Sequence, residues 1–165
     1  FRNMVILRSM TKFFAIAGLR LGYVIANRNV IKRISEYLPP WSVNSLASVA
    51  GCHALKARVF MEDSRWRIKE ERAAFGAMLD AVGLVKTYPS AANFLMLKIV
   101  ENGGYCPLRL TASLIKADLL KKGLLVRDLS ALAGLGAQYL RLAVRTRHDN
   151  SILADALSAV LSERI

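Results

Sequence analysis

A chain of 165 residues in which 54% are hydrophobic can bury a core, so intrinsic disorder is not expected. Its formal net charge of +12 favours an acidic small-molecule substrate or cofactor; because the basic residues are dispersed among acidic ones, we expect no nucleic-acid partner. No apolar run reaches the ~18 residues of a membrane span. The two cysteines, Cys52 and Cys106, have neither disulfide nor metal-ligand spacing, which favours a cytoplasmic protein without metal or membrane association.

The first predicted elements are two short strands on either side of a polar and aromatic turn. Residues 4–7 are four consecutive apolar residues, the pattern of a buried strand in a parallel sheet, and residues 23–26 form the second strand. Residues 30–37 predict a helix that ends before Pro39-Pro40. Because a buried strand needs neighbours on both sides, we expect the chain to be the C-terminal portion of a longer protein.

The proline pair is the predicted boundary between two structural units, residues 1–40 and residues 41–165. The second unit alternates helices and short strands, and Asn150 is the predicted N-cap of its last helix. This pattern predicts an α/β or α+β unit in which a small sheet has helices on one face. The predicted helices are 45–56, 61–82, 110–122 and a last one from 150 onward, and the predicted strands are 84–88, 94–99, 124–129 and 139–145.

One short segment combines the groups needed to hold a phosphorylated aldehyde. Lys12 lies beside two phenylalanines, and an apolar setting disfavours its ammonium form and makes the amine nucleophilic. Ser9 and Thr11 supply hydroxyls, and Arg20 supplies a guanidinium suited to phosphate. An isolated Ser-x-Thr-Lys is more often a solvated lysine at a strand end, so the spacing to Arg20 decides between the two interpretations.

The wider motif around this lysine resembles that of a known family. Ser9-x-Thr11-Lys12 is followed by Gly18-Leu19-Arg20-Leu21-Gly22, in which the two glycines leave room for close approach of the backbone. The combination resembles the motif around the pyridoxal-phosphate (PLP) lysine of fold-type I, class I/II aminotransferases, and is most similar to histidinol-phosphate aminotransferases and threonine-phosphate decarboxylases. Later segments match the family in order: Ser90-x-x-Asn93-Phe94, Leu125-Val126-Arg127-Asp128, Tyr139-Leu140-Arg141-Leu142 and His148-Asp149-Asn150.

The resemblance implies a fold, a cofactor and a partner. The chain would be the C-terminal part of a PLP-dependent transferase fold, with the end of the large-domain sheet followed by a small α+β domain. Lys12 would form the Schiff base with pyridoxal 5'-phosphate, while Ser9, Thr11 and Arg20 would bind the cofactor phosphate. Because the family builds its sites at a dimer interface, the resemblance also implies a homodimer.

Three further residues are implied to bind the substrate, a small phosphorylated amino acid. Arg141 would hold its α-carboxylate in a bidentate pair, and Arg127 would meet its phosphate. Residues 41–47 read Trp-Ser-Val-Asn-Ser-Leu-Ala and resemble a stretch of threonine-phosphate decarboxylases, so that Asn44 could reach substrate or cofactor. The alternative is that Asn44 caps the following helix and Trp41 packs at the domain junction.

The resemblance favours decarboxylation of L-threonine O-3-phosphate to (R)-1-amino-2-propanol O-phosphate, a step of cobalamin biosynthesis. A histidinol-phosphate aminotransferase, or another class I/II aminotransferase, is the alternative within the family, and a non-catalytic basic binding module is the alternative outside it. No Asp or Glu precedes Glu36, so the acid that pairs with the cofactor nitrogen in this family has no counterpart near Lys12. We therefore expect the 165 residues alone to be inactive.

Overall fold

The structure, a computed structural model, describes residues 3–100 and 110–164. Contacts within the chain divide it into two compact units, Phe1–Met61 and Glu62–Ile165. The division falls inside the longest helix, whereas the assignment of residues 1–40 to a large cofactor-binding domain and 41–165 to a small one stays a prediction. Cys52 is an exposed free thiol, and Cys106 lies outside the described residues.

The first unit is built on one antiparallel strand pair. Strand β1 (Val5–Ser9) pairs with β2 (Gly22–Ala26), and Ser9 lies opposite Gly22. Helix α1 (Arg28–Glu36) follows at once because the Asn27 side chain accepts a hydrogen bond from a backbone N–H of its first turn. Helix α2 (Ser45–Lys56) has the predicted bounds, and α3 (Arg58–Ala81) begins three residues before the predicted start at 61.

Within the described residues β1 has a neighbour on one edge, and that pairing is antiparallel and not parallel as predicted. The Leu7 side chain is 75% exposed among these residues. The pairing of the other edge of β1 and its burial stay predictions. An apolar run identifies a strand, but the direction of pairing and the cover over each face depend on neighbouring segments that the run does not encode.

Gly22 is the glycine of the motif that the strand pair requires. A Cβ at Gly22 would lie 2.9 Å from the Arg8 carbonyl oxygen, whereas a Cβ at Gly18 would meet nothing within 4 Å. The predicted close approach of the backbone is therefore confirmed at Gly22 and wrong at Gly18.

We expect Gly22→Ala to lower the free energy of unfolding by about 1–3 kcal/mol, because the added methyl group must push against backbone and separate β1 from β2. Gly18→Ala is the matched control, and its stability should be unchanged or up to about 1 kcal/mol higher. Urea unfolding of the two variants measures both values. Equal losses of stability in the two variants would contradict the close-contact explanation.

The second unit is a four-stranded antiparallel sheet with helices on one face, as predicted. The strand order is β3-β4-β6-β5, and every pairing is antiparallel. Leu95 and Leu97 alternate with less buried positions along β4, and they are buried with Ile115 and Leu157 of the helices in one core. The elements are β3 (Val85–Thr87), β4 (Phe94–Ile99), α4 (Ala112–Lys121), β5 (Arg127–Asp128), β6 (Tyr139–Ala143) and α5 (Arg147–Ser162).

Two predictions about this unit need correction. The predicted strand 124–129 contains only the two-residue β5, because residues 124–126 do not pair with a neighbouring strand. The last helix is capped by Thr146, whose hydroxyl accepts from the Asp149 N–H. Asn150 lies within the helix, is 1% exposed, and bonds through its side-chain amide to the backbone N–H and carbonyl of Arg145.

Helix α5 is tied to α3 by a bidentate ion pair. The Arg147 guanidinium donates to both carboxylate oxygens of Glu71 at 3.0 and 3.2 Å, and this pairing raises the pKa of Arg147 above its ordinary value. Within residues 3–100 and 110–164, no helix combines the length and the apolar character needed to cross a bilayer. The same residues contain no group of three or more His, Cys, Asp or Glu side chains arranged to hold a metal ion.

Candidate functional site

The segment after β1 brings the predicted cofactor residues together at the end of the strand pair. The Met10 N–H donates to the Leu21 carbonyl at 3.1 Å, and the Met10 and Thr11 side chains are only 3% and 6% exposed. These contacts fix the chain on both sides of Ser9, so the hydroxyl of Ser9 and the amine of Lys12 stand at the rim of an anchored turn. The local fold therefore positions the motif by burying the two consecutive residues between Ser9 and Lys12.

Thr11 links the other two polar groups of the motif. Its Oγ1 lies 2.8 Å from Ser9 Oγ and accepts a hydrogen bond of 3.2 Å from Lys12 Nζ. Because Thr11 is buried and part of this chain of contacts, it holds the lysine amine and the serine hydroxyl on one side of the turn. The predicted association of Ser9, Thr11 and Lys12 is thus present in the described geometry.

Arg20 reaches the same place through an unusual backbone conformation. A single 3-10 turn, Ala17–Leu19, precedes it, and Arg20 itself has φ +52° in the left-handed region. Its Nη1 donates to the Ala17 carbonyl at 3.1 Å. A non-glycine residue in this region costs on the order of 1 kcal/mol or more, and such residues concentrate at functional sites. Ala15, in the same loop, also has a positive φ of +54°.

Ser9, Thr11, Lys12 and Arg20 line one open cavity of about 770 Å³ in the first unit. Arg8 lines it as well, which makes three cationic side chains, and no Asp or Glu is among the described residues around the cavity. Sequence reasoning missed Arg8; its signal was a basic side chain directly before Ser9 in the motif. A cavity with three cations, several hydroxyls and no carboxylate favours a ligand that carries a phosphate.

The donor set fits a phosphorylated aldehyde such as PLP. Two hydroxyls and a guanidinium are suited to a phosphate, and a primary amine hydrogen-bonded to Thr11 is the nucleophile that an aldehyde carbon requires. Within the described residues the Lys12 side chain is exposed, and the apolar setting expected for it in the whole protein stays a prediction. Its phenylalanine neighbours turn away and pack with each other and with Phe60.

The predicted substrate arginines lie together in the second unit. Arg127 on β5 and Arg141 on β6 are directly opposite each other in the sheet, and both side chains are exposed. The Arg141 guanidinium carbon lies 5.0 Å from the centre of the Phe94 ring, a cation–π arrangement that orients the guanidinium without neutralising it. The two arginines therefore present a doubly cationic spot on one face of the sheet.

Asp128, the neighbour of Arg127, does not neutralise that spot. Its carboxylate accepts from the Ser113 hydroxyl and from the Ser130 N–H, and these bonds hold the pKa of Asp128 below its ordinary value. Among the described ion pairs, none involves Arg127 or Arg141. Both guanidinium groups thus remain available to an anionic ligand.

Asn44 caps α2, which was one of its two predicted roles. Its Oδ1 accepts from the Ala47 N–H at 2.8 Å, so only the Nδ2 amide group is left for a ligand. Trp41 is 96% exposed and has φ +61°, so in the described chain its ring is not packed. A role for Asn44 in contacting substrate or cofactor stays a prediction.

The two units together define a member of the class I and II aminotransferases. A model of the family "Aminotransferase class I and II" matches residues 2–160, and the chain therefore belongs to this family, whose members are PLP-dependent enzymes. Its fold is the C-terminal part of the PLP-dependent transferase fold.

Relatives with two different names are similar to this chain. A threonine-phosphate decarboxylase from Salmonella typhimurium is 35% identical, and the match covers 95% of this chain and 41% of that protein. A histidinol-phosphate aminotransferase from a Thermoanaerobacter species is 34% identical over 98% of this chain and 42% of that protein. The solved structure of a histidinol-phosphate aminotransferase from Clostridium acetobutylicum matches with a TM-score of 0.89 and 28% identity over 99% of this chain and 47% of that chain. The chain thus spans less than half the length of these relatives.

Proposed function

We propose that the protein containing this chain decarboxylates L-threonine O-3-phosphate to (R)-1-amino-2-propanol O-phosphate with PLP as cofactor, a reaction of cobalamin biosynthesis. The observation that carries the proposal is the cavity lined by Ser9, Thr11, Lys12 and Arg20, in which Thr11 Oγ1 contacts both Ser9 Oγ and Lys12 Nζ. The 35% identity to the Salmonella threonine-phosphate decarboxylase supports the choice of reaction, as does the Trp-Ser-Val-Asn-Ser-Leu-Ala stretch at 41–47.

Each residue around the cavity has a separate task in this proposal. Ser9, Thr11 and Arg20 would hold the cofactor phosphate, and Lys12 would supply the primary amine that holds the cofactor through its aldehyde carbon. When bound, PLP supplies an electron-accepting ring that stabilises charge left on the substrate Cα. The hydrogen bond from Lys12 Nζ to Thr11 Oγ1 would hold the lysine amine in the cavity, where it could carry a proton to or from a bound substrate.

The arginine pair of the second unit sets which bond of the substrate reacts. We assign the α-carboxylate to Arg141 and the substrate phosphate to Arg127. Two fixed anchors at the ends of a small substrate determine its orientation, and orientation decides whether the carboxylate or the Cα proton leaves. This explains how closely related sequences perform decarboxylation or amino transfer with the same residue types. The partners in the proposal are accordingly a small phosphorylated amino acid and a second identical subunit.

Histidinol-phosphate amino transfer is the second candidate, favoured by the 34% identity to the Thermoanaerobacter enzyme. One assay on the intact protein with added PLP separates the two. If the protein is the decarboxylase, L-threonine O-3-phosphate alone releases CO2, and histidinol phosphate with 2-oxoglutarate is not consumed. The reverse result would replace the decarboxylase with the aminotransferase. A protein that gives no borohydride-trapped adduct on Lys12 would contradict both and favour a non-catalytic basic binding module.

A further inference from the structure

The outer face of the sheet in the second unit is cationic well beyond the arginine pair. Side chains alternate along the strands, so Leu95, Leu97 and Leu140 point to the helices while their neighbours form the outer face. Lys86 on β3 lies directly opposite Lys98 on β4. The described positions of this outer face are Lys86, Tyr88, Phe94, Met96, Lys98, Arg127, Tyr139, Arg141 and Ala143, and none of them is acidic.

Two like-charged pairs face each other across this sheet. Lys86 opposes Lys98 and Arg127 opposes Arg141, and like charges at directly opposite positions destabilise a sheet. None of the four side chains takes part in an ion pair within residues 3–100 and 110–164. Repulsion between like charges destabilises the sheet, and no ion pair among the described residues offsets it. This favours an external anion as the partner of the four side chains.

Two tyrosine rings hold the lysine ammonium groups on this face. Lys86 Nζ lies 5.6 Å from the centre of the Tyr88 ring, and Lys98 Nζ lies 5.8 Å from that of Tyr139. The two phenol oxygens are 3.5 Å apart, and this contact raises the pKa of Tyr88 above its ordinary value. The Tyr88 phenol therefore stays neutral at working pH, and the two rings place the ammonium groups without cancelling their charge.

The lysines and the arginines are parts of one continuous surface. Met96 is opposite Arg141 on β6, and Lys98, two residues further along β4, is opposite Tyr139. Lys98 is therefore about 7 Å along β4 from Met96, the residue opposite Arg141. This spacing is close to the Debye length of about 8 Å at physiological ionic strength, so Lys98 and the arginine pair act together on an approaching anion. Lys86, one strand further away on β3, adds to the attraction mainly at low ionic strength.

We propose that Lys86 and Lys98 form an encounter site for the phosphorylated substrate, drawing the anion to the sheet face on which Arg127 and Arg141 bind it. This inference rests on the proposed function, because it assigns an anionic substrate to the same face. The lysines act by long-range attraction and make no contact with the substrate once it is bound. They therefore affect its capture and not the chemical step, and their contribution weakens as salt screens it.

The test compares Lys86→Gln/Lys98→Gln with the intact wild-type protein, using L-threonine O-3-phosphate at low and high ionic strength. At about 0.01 M salt we expect kcat/KM to fall roughly three- to tenfold with kcat unchanged. At about 1 M salt, where the Debye length is about 3 Å, the two proteins should have the same kcat/KM.

The matched control is Lys69→Gln/Lys122→Gln, which removes the same charge from exposed positions of α3 and of the end of α4, helices that cover the other face. Its kcat/KM should stay within about twofold of wild type at both salt concentrations. The encounter site would be overturned by an equal decrease of kcat/KM in the control. A decrease in the Lys86→Gln/Lys98→Gln variant that persists at high salt, or a changed kcat in that variant, would also overturn it.

Failure of this inference can be told from failure of the proposed function. If L-threonine O-3-phosphate is turned over and the lysine variant behaves as wild type at low salt, only the encounter site is wrong. If histidinol phosphate is the substrate, the decarboxylase assignment is wrong, and the same salt comparison with histidinol phosphate decides the encounter site. If neither phosphate ester is consumed, the encounter site and the proposed function are both wrong.

Discussion

Lys12→Ala is expected to abolish covalent capture of PLP by the intact protein and to lower turnover at least about a thousandfold. The amine is the nucleophile for the cofactor aldehyde, and the structure holds it beside the Thr11 and Ser9 hydroxyls. Borohydride reduction followed by peptide mass mapping should place the cofactor on residue 12 in wild type and on no residue in the variant. Absorbance titration with PLP should still show weak binding in the variant, because the phosphate contacts of Ser9 and Arg20 remain.

Lys32→Ala is the control for Lys12→Ala. Lys32 is an exposed lysine of α1 in the same unit, so its loss removes one amine without touching the motif. Adduct formation and turnover should match wild type. A reduced adduct on any lysine other than Lys12, in wild type or in the variant, would be incompatible with the proposed role.

Local sequence rules predicted the helices well because their ends are marked by particular residues. Asn44 caps α2, while Gly83 and Gly123 have the positive φ values that end helices. At α1 the cap is Asn27, so the helix begins at Arg28, two residues before the predicted start at 30. The rules were wrong at α5, where two residues that can cap lie four positions apart. Thr146 takes the cap, and Asn150 is buried one turn later. Residue type alone does not decide whether Thr146 or Asn150 is the N-cap, because the choice depends on which of the two side chains is buried in the core.

The motif at residues 9–20 could be predicted from the spacing of its reactive and phosphate-binding residue types. The other residues around the cavity could not. Ser9, Thr11, Lys12 and Arg20 share one cavity as expected. The participation of Arg8 depends on how β1 and β2 pair, which residue types do not specify. The pairing of Lys86 with Lys98 was not predicted for the same reason. They are 12 residues apart in sequence, and only the antiparallel register places them opposite each other.

Arg141→Lys is expected to lower kcat/KM for L-threonine O-3-phosphate by about a hundredfold or more, with PLP capture on Lys12 unchanged. Lysine keeps the charge but loses the planar fork that grips a carboxylate through two hydrogen bonds. Truncating a buried, hydrogen-bonded charge pair in a complex costs about 2–5 kcal/mol, and a loss of about 3 kcal/mol corresponds to roughly a hundredfold. Steady-state kinetics and the borohydride adduct measure the two effects separately.

Arg145→Lys is the matched control, because Arg145 is an exposed arginine of the same unit whose pairing is with Asp149 at 3.1 Å. A surface ion pair of this kind contributes about 0–1 kcal/mol to stability, so the control should keep wild-type kcat/KM. Salt should distinguish the two predicted decreases in kcat/KM. The decrease in the Lys86→Gln/Lys98→Gln variant should disappear at high salt, whereas the decrease in Arg141→Lys should persist, since direct hydrogen bonds to a desolvated carboxylate are screened little. If Arg141→Lys retained wild-type kcat/KM, the α-carboxylate would have to be bound by another residue. The proposal that Arg141 orients the substrate for decarboxylation would then be wrong.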